Sequence, residues 1–297
     1  MDMGEVNTKT FVKLFILKAL KWVPDRQMIR IQYRCKMGKF PNLKDPQRYT
    51  EKLQCYKLKS HDDKMAMCAD KYLVRKYVES KGLGYILNDL YGVWESASSI
   101  DFSQLPNQYV LKSTNGASGI GVLFCKDKKT FDCEKARKIM SKWTKLEKHV
   151  GGREWVYEVY KPKIIAERLL PAREGENSVV DYKFFCFNGE PYCMYVMTDR
   201  FSKHGVRQCI LDMEYNVMPY MREKIEPVIN LPQKPDNFEE MKDIARILSK
   251  DFPYVRVDLY NIQGKILFGE MTFFPESGYY RFIPDDFDYI LGKKFSL

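Results

Sequence analysis

The order of elements written in the sequence predicts an α+β fold, with helices first and antiparallel hairpins filling the second half. Three stretches carry that prediction. Residues 70–81 (DKYLVRKYVESK) place Tyr72, Leu73, Tyr77 and Val78 at helical spacing, and Gly82 and Gly84 follow where a helix would end. Residues 181–187, then Asn188-Gly189 and a second apolar run, give the strongest hairpin signal in the chain. Residues 254–274 read as another hairpin around 261–264, and no repeat or low-complexity tract interrupts the order.

At the N-terminal end, FVKLFILKALKWVPD is apolar but cut by Lys13, Lys18 and Lys21, too broken to span a bilayer and no signal peptide. On a helix, Lys9, Lys13, Lys18 and Lys21 fall within one half, with Val12, Phe15, Ile16, Ala19, Trp22 and Val23 mostly opposite. Such a helix packs on the domain or lies on an anionic membrane, giving a peripheral contact through residues 9–23. Beyond Pro24 come two proline-marked turns and a helix start at Tyr49, Thr50 and Glu51. Strands are expected at 108–112, 121–126 and 163–166, and helices at 130–148, with Thr130 as N-cap, and at 238–251.

With 297 residues, 45% hydrophobic and 14% aromatic, the chain is globular and holds one large or two modest domains. A formal charge of +10 favours anionic partners, yet the lysines are dispersed and no nucleic-acid motif is present, so nucleic acid is not an expected partner. The eight cysteines include no C-x-x-C pair and read as reduced thiols of a cytosolic protein. His61, His149 and His204 are isolated, which leaves no convincing Ser/His or Cys/His nucleophilic set.

Two motifs carry chemistry. In VLKSTNGASGIGVLF (110–124) a lysine precedes three glycines in six residues. Glycine lets backbone N–H groups approach a phosphate, although a hairpin tip would also look like this. It is neither a P-loop, since Val122 stands where that motif needs lysine, nor a dinucleotide fingerprint. In YVRVDLYNIQGKILFGEMTFFPESGYY (254–280), a three-residue loop of Ile262, Gln263 and left-handed Gly264 would set Arg256 across from Glu270 with Asp258 diagonal. Two carboxylates on one face suit a Mg²⁺ shared with substrate phosphates, or else form a solvated face with an ion pair. Lysine, glycine loop and paired acids together are the parts that hold Mg²⁺·ATP.

The order of a DK at a helix start, V-x-K before a glycine loop, a short strand ending in glutamate, then R-x-D and G-E-M-T-x-x-P resembles the ATP-grasp superfamily. More narrowly, YRCKMGKFPNLKDPQRYTEKLQ, DKYLVRKYVESKGLGYIL, VVDYKFFCFNGEP and GEMTFFPESGY resemble its TupA-like branch, associated with teichuronopeptide and capsular polysaccharide synthesis. The resemblance runs from about Pro24 to the C-terminus. It implies an ATP-grasp fold, two α+β subdomains gripping ATP, after a helical region at 1–60 and a preceding segment at 61–107. The ATP-grasp domain would occupy 108–297, with a small lobe about 108–165 and a large lobe about 166–297.

By position, the resemblance makes Lys71 and Lys112 the two ATP-binding lysines and gives the phosphates a flexible cover in Ser113, Asn115, Gly116, Ala117, Ser118, Gly119 and Gly121. Glu167, Arg168, Leu169 and Leu170 fall at the adenine-binding hinge. Lys183 and Arg256 would act on the phosphates, Lys183 having the alternative of pairing with Asp181. Asp258 and Glu270 resemble the metal ligands, with Thr272 where many members carry asparagine. The implied enzyme is an ATP- and Mg²⁺-dependent carboxylate–amine ligase working through an acylphosphate. Its implied substrates are an acidic sugar or polysaccharide carboxylate and a small amine or amino acid, with Arg200, Arg207 and Arg281 as candidates for gripping the acid. The alternatives are a glycosyltransferase or other transferase of the same pathway, and a non-enzymatic nucleotide-binding protein at the membrane.

Overall fold

The structure, a computed structural model, describes residues 19–116, 121–148, 151–171, 178–199 and 205–297. Most of the segment 9–23 expected to be helical, with Lys9, Lys13 and Lys18, lies outside the described residues, as do His149, His204, Ala117, Ser118, Gly119 and Arg200. Among the described residues no helix is long and apolar enough to cross a membrane. The end of the N-terminal segment rests on the domain: the Leu20 and Lys21 carbonyls accept from the buried Arg153 guanidinium at 2.8 and 3.3 Å.

Helix α1 (Asp25–Met37) begins after Pro24, carries Asp25 in its first turn and Arg34 and Lys36 in its last, and stops at Gly38 with φ 79°. That charge order matches the helix dipole. In α2 (Tyr49–Lys59) the Glu51 carboxylate accepts the Arg48 N–H at 3.2 Å, satisfying an end donor. Helix α3 (Asp63–Ala69) is capped by Asp62, whose side chain accepts from the Lys64 N–H. The helix expected at 70–81 is shorter, α4 (Val74–Ser80), because the Asp70 carboxylate accepts the Tyr72 and Leu73 N–H groups at 2.9 Å and holds 70–73 as a turn. Gly82 ends it at φ 76°, as expected.

Two antiparallel sheets follow. The smaller has the order β1-β4-β2-β3, from β1 (Leu90–Trp94), β2 (Tyr109–Ser113), β3 (Val122–Cys125) and β4 (Ile164–Glu167). Its first strand thus comes from inside the 61–107 segment. Helix α5 (Cys133–Met140) covers this sheet and is much shorter than the expected 130–148. Its N-cap is Asp132, which accepts from Lys135 N–H at 2.9 Å, while Thr130 turns its hydroxyl back to Asp127. A carboxylate reaching the helix entrance displaces the threonine from that role.

The larger sheet has the order β10-β9-β5-β6-β7 and builds the main core with α6 (Phe238–Ser249). Its strands are β5 (Asp181–Phe187), β6 (Glu190–Thr198), β7 (Arg207–Leu211), β9 (Tyr254–Ile262) and β10 (Lys265–Thr272). Phe238, Met241, Ile244, Ala245 and Leu248 form the buried face of α6. A two-stranded piece, β8 (Met221–Arg222) with β11 (Phe282–Ile283), and α7 (Phe287–Lys294) complete the fold.

The Asn188-Gly189 hairpin forms as expected, with φ 52° and 82°. The second hairpin differs. Its loop has two residues, Gln263 and Gly264, both at positive φ, because Ile262 pairs with Lys265. A register shift at Gly269 then sets Asp258 across from Glu270 and Arg256 across from Thr272, not Arg256 across from Glu270. A Cβ on Gly269 would stand 2.8 Å from the Asp258 carbonyl oxygen, so this bulge needs glycine.

Candidate functional site

The large sheet pairs Lys183 with Asp258 across β5 and β9, and Asp258 with Glu270 across β9 and β10. The three charged residues therefore form one row on one face of three strands. Arg256, two residues along β9, shares that face. It donates to Asp258 through Nε at 2.6 Å and through a terminal nitrogen at 2.7 Å, and reaches Glu270 at 3.2 Å and Thr272 Oγ1 at 3.1 Å. Lys183 donates to Asp258 as well and stands 3.6 Å from Asp181. Burial works to raise the Asp258 carboxyl, against the pull of Arg256 and Lys183. The net direction is upward: burial outweighs the three charge-assisted hydrogen bonds that favour the ionised form.

Glu270 differs from Asp258 in being 38% exposed at the side chain, against 2%. It is the more exposed acid of the pair, and Lys71 approaches it to 3.9 Å. Lys71 sits in the α3–α4 turn, where its backbone N–H donates to Thr114 O at 2.9 Å and its ammonium to Gly116 O. It thereby joins the glycine loop to the acidic hairpin. Burial lowers its pKa, with Glu270 opposing.

Around the loop, Ser113 N–H donates to Gly121 O at 2.7 Å and Ser113 Oγ to Asn115 Oδ1 at 3.0 Å. Gly121 has φ 80°, and a Cβ there would lie 2.9 Å from Ser113 Cβ. Lys112, on β2, binds Glu167, on β4, at 2.7 Å. Arg75 holds the other Glu167 oxygen at 3.6 Å. The segment expected to be the hinge is tied down at Arg168, whose N–H donates to Asp89 O at 3.0 Å and whose carbonyl accepts from Asn88 Nδ2 at 2.8 Å. Its guanidinium turns to Asp89 at 3.4 Å, and Leu169 and Leu170 follow half-buried.

One cleft is lined by Lys71, Arg75, Leu87, Asn88, Lys112, Glu167, Phe268 and Gly269. Sequence reasoning missed Arg75, Asn88 and Gly269 there. Arg75 stands four residues after Lys71, a usable signal. Asn88 and Gly269 acquire their places only through contacts distant in sequence. Of the arginines proposed to grip substrate, Arg207 donates to Pro227 O at 3.1 Å, and Arg281 donates to Lys36 O at 2.6 Å and pairs with Glu223. Neither joins the group around Arg256.

The donor chemistry fits Mg²⁺. Among the described residues no three acidic, histidine or cysteine side chains are brought together as a closed metal cage. Glu270 nonetheless offers partly exposed hard oxygens, with Thr272 Oγ1 3.3 Å from it and Asp258 beside it. Few protein oxygens, completed by substrate phosphates, is the usual mode for this ion.

Residues 51–296 match the family described as TupA-like ATPgrasp. No curated protein matches the chain. Among solved structures, D-alanine–D-alanine ligase from Bacillus anthracis is 17% identical with a TM-score of 0.41, covering 69% of this chain and 57% of its own. The Helicobacter pylori D-alanine–D-alanine ligase is 15% identical with a TM-score of 0.41, covering 77% and 62%. Biotin carboxylase from Campylobacter jejuni is 13% identical with a TM-score of 0.40, covering 69% and 40%. The matched part is under two thirds of each of these proteins, and no residue role passes from them to this chain. The match over residues 51–296 bears out the expected α+β ATP-grasp fold: the chain belongs to the TupA-like ATP-grasp family.

Proposed function

We propose that the protein is an ATP- and Mg²⁺-dependent carboxylate–amine ligase of the cytoplasm. Its substrates on this reading are a uronic acid, on a bacterial surface polysaccharide or its sugar-nucleotide precursor, and a small amine or amino acid. The observation that carries the reading is the row Lys183, Asp258 and Glu270, with Lys71 linking Glu270 to a glycine loop led by Lys112. It supplies dispersed positive charge and one partly exposed acid next to the cleft lined by Lys71 and Lys112, which suits phosphoryl transfer.

In the proposed reaction a carboxylate oxygen attacks the γ-phosphorus, the bond to the β-phosphate oxygen breaks, and ADP leaves. The amine nitrogen then attacks the acyl carbon and phosphate departs, with the ammonium proton lost to solvent. Lys71 and Lys112 hold phosphates, and Arg256 neutralises the group in transfer while Asp258 keeps its guanidinium oriented. Glu270, with Thr272 and Asp258 beside it, would hold Mg²⁺, which when bound neutralises β- and γ-phosphate charge. No protein nucleophile is needed.

Sugar-nucleotide transferases often carry an open D-x-D pair for their metal. The D-x-D at Asp286-Phe287-Asp288 does not supply one. Asp288 is 1% exposed, accepts the Thr50 N–H at 2.9 Å and hydroxyl at 2.7 Å, and pairs with Arg48 at 3.3 Å.

The test is ADP and phosphate release with Mg²⁺·ATP, glucuronate or galacturonate, and hydroxylamine as surrogate amine, comparing wild type with Glu270→Gln. Acceptor-dependent ADP and a hydroxamate, both lost in the variant, are expected. ATP binding without any such turnover over these acceptors would overturn the ligase reading.

A further inference from the structure

Near Arg256 lies a second guanidinium that the reaction above does not use. Arg222, on β8, stands 4.9 Å over the Tyr280 ring with its side chain 16% exposed. Among the described residues its one carboxylate partner is Glu276, at 3.4 Å, whose side chain is 47% exposed. A guanidinium this enclosed with so open a partner is arranged for exchange. One carboxylate can replace another without ever leaving the buried cation unpaired.

Glu276 belongs to the turn Pro275–Gly278, just beyond the metal-binding hairpin, and is held at φ 51° with Ser277 at 56° and Gly278 at 74°. Left-handed backbone at non-glycine residues persists only where surroundings enforce it, and it concentrates at ligand clamps. Here Ser277 Oγ donates to Glu154 at 2.9 Å, and Lys57 and Gln54 donate to Ser277 O at 2.9 and 3.0 Å. The site's other wall is aromatic. Tyr195 and Tyr280 pack edge to face at 6.3 Å, and the buried Tyr195 hydroxyl has no hydrogen-bond partner among the described residues. Burial raises the Tyr280 phenol to about 12, against Arg256 and Arg222.

We infer that Arg222 grips a carboxylate of the acceptor, and that Glu276 is an internal carboxylate holding that place until the acceptor displaces it. The assignment rests on the ligase reading and names its acid-binding residue. A neutral hydroxyl cannot displace Glu276 from a buried cation, so uronates are taken and neutral sugars refused.

The test uses the full chain with Arg222→Gln, Arg222→Lys and Glu276→Gln, titrated with D-glucuronate, glucose and inorganic phosphate by calorimetry, and with ATP as a folding control. Arg222→Gln weakens glucuronate binding by about tenfold or more, the size of a lost charge-assisted fork, while ATP affinity holds. Arg222→Lys falls between, and Glu276→Gln tightens glucuronate, because the internal competitor is gone. A purely structural ion pair would weaken binding in both glutamine variants alike, and that outcome overturns the inference. So would unchanged glucuronate affinity in Arg222→Gln, no glucuronate binding by wild type, or phosphate bound in preference to glucuronate. Opposite responses of the two glutamine variants without ADP release would sink the ligase reading and keep the clamp. ADP release whose KM for glucuronate ignores Arg222 would do the reverse.

Discussion

Lys71 and Glu270 meet at 3.9 Å, with Lys71 also bound to the Thr114 and Gly116 carbonyls. This contact ties the glycine loop of the small sheet to the open acid of the large one. Lys71→Met keeps the side chain's length but removes a buried cation whose partners Glu270 and Gly116 O stay behind, so the fold is expected to lose about 1–3 kcal/mol. Nucleotide affinity should fall by about ten- to a hundredfold, the worth of a phosphate-binding charge. Thermal unfolding beside ATP titration checks both, and unchanged ATP affinity would remove Lys71 from the site.

Gly269 is the hinge of the register. Gly269→Ala forces a methyl against the Asp258 carbonyl oxygen, at 2.8 Å before relaxation. The expected cost is about 1–3 kcal/mol, as for other overpacked positions. Because Glu270 and Asp258 lose their alignment, ADP release should drop more than the stability loss explains. Wild-type turnover in this variant would show that the alignment is not required.

Arg256 and Asp258 form a buried pair in which removing one partner strands the other. Arg256→Met should destabilise by about 3–5 kcal/mol in urea unfolding. Arg256→Met with Asp258→Leu should recover part of it, since no buried charge is then left alone. If the single variant stays within about 1 kcal/mol of wild type, the pair is not the anchor described here.

The cysteines predict a reactivity order. Cys35 is exposed, whereas Cys55, Cys68, Cys125, Cys186 and Cys193 are buried. Burial raises the Cys68 and Cys186 thiols to about 12 and Cys209 to about 11. Ellman's reagent should titrate Cys35 quickly in the native protein and all eight thiols after denaturation. Raised folded pKa values mean the fold holds protons that the unfolded chain releases near 9. These thiols' stabilisation is thus complete below about pH 9 and is lost as pH rises toward 12. A flat stability over that range would contradict this.

Features that depend on adjacent residues were legible in the chain. Asn188-Gly189 turns because both residues accept positive φ, and β5 is apolar enough to be found directly. The glycine loop after Lys112 and the two acids of the last hairpin were legible for the same reason: a short motif states its own backbone needs. Tertiary structure decided which of these local pieces touch. No local signal says that Lys183 stands beside Asp258, since β5 and β9 are far apart in sequence and only burial of both in one sheet pairs them. The shift at Gly269 comes from close approach to the Asp258 carbonyl, not from the loop, which is why the register read from the loop alone was wrong. Asp132 took the cap expected of Thr130, and Arg222 lies by Arg256 where Arg207 and Arg281 do not. Dihedral preference is carried by adjacent residues. Contact and electrostatic pairing are set by which distant surfaces must leave water together.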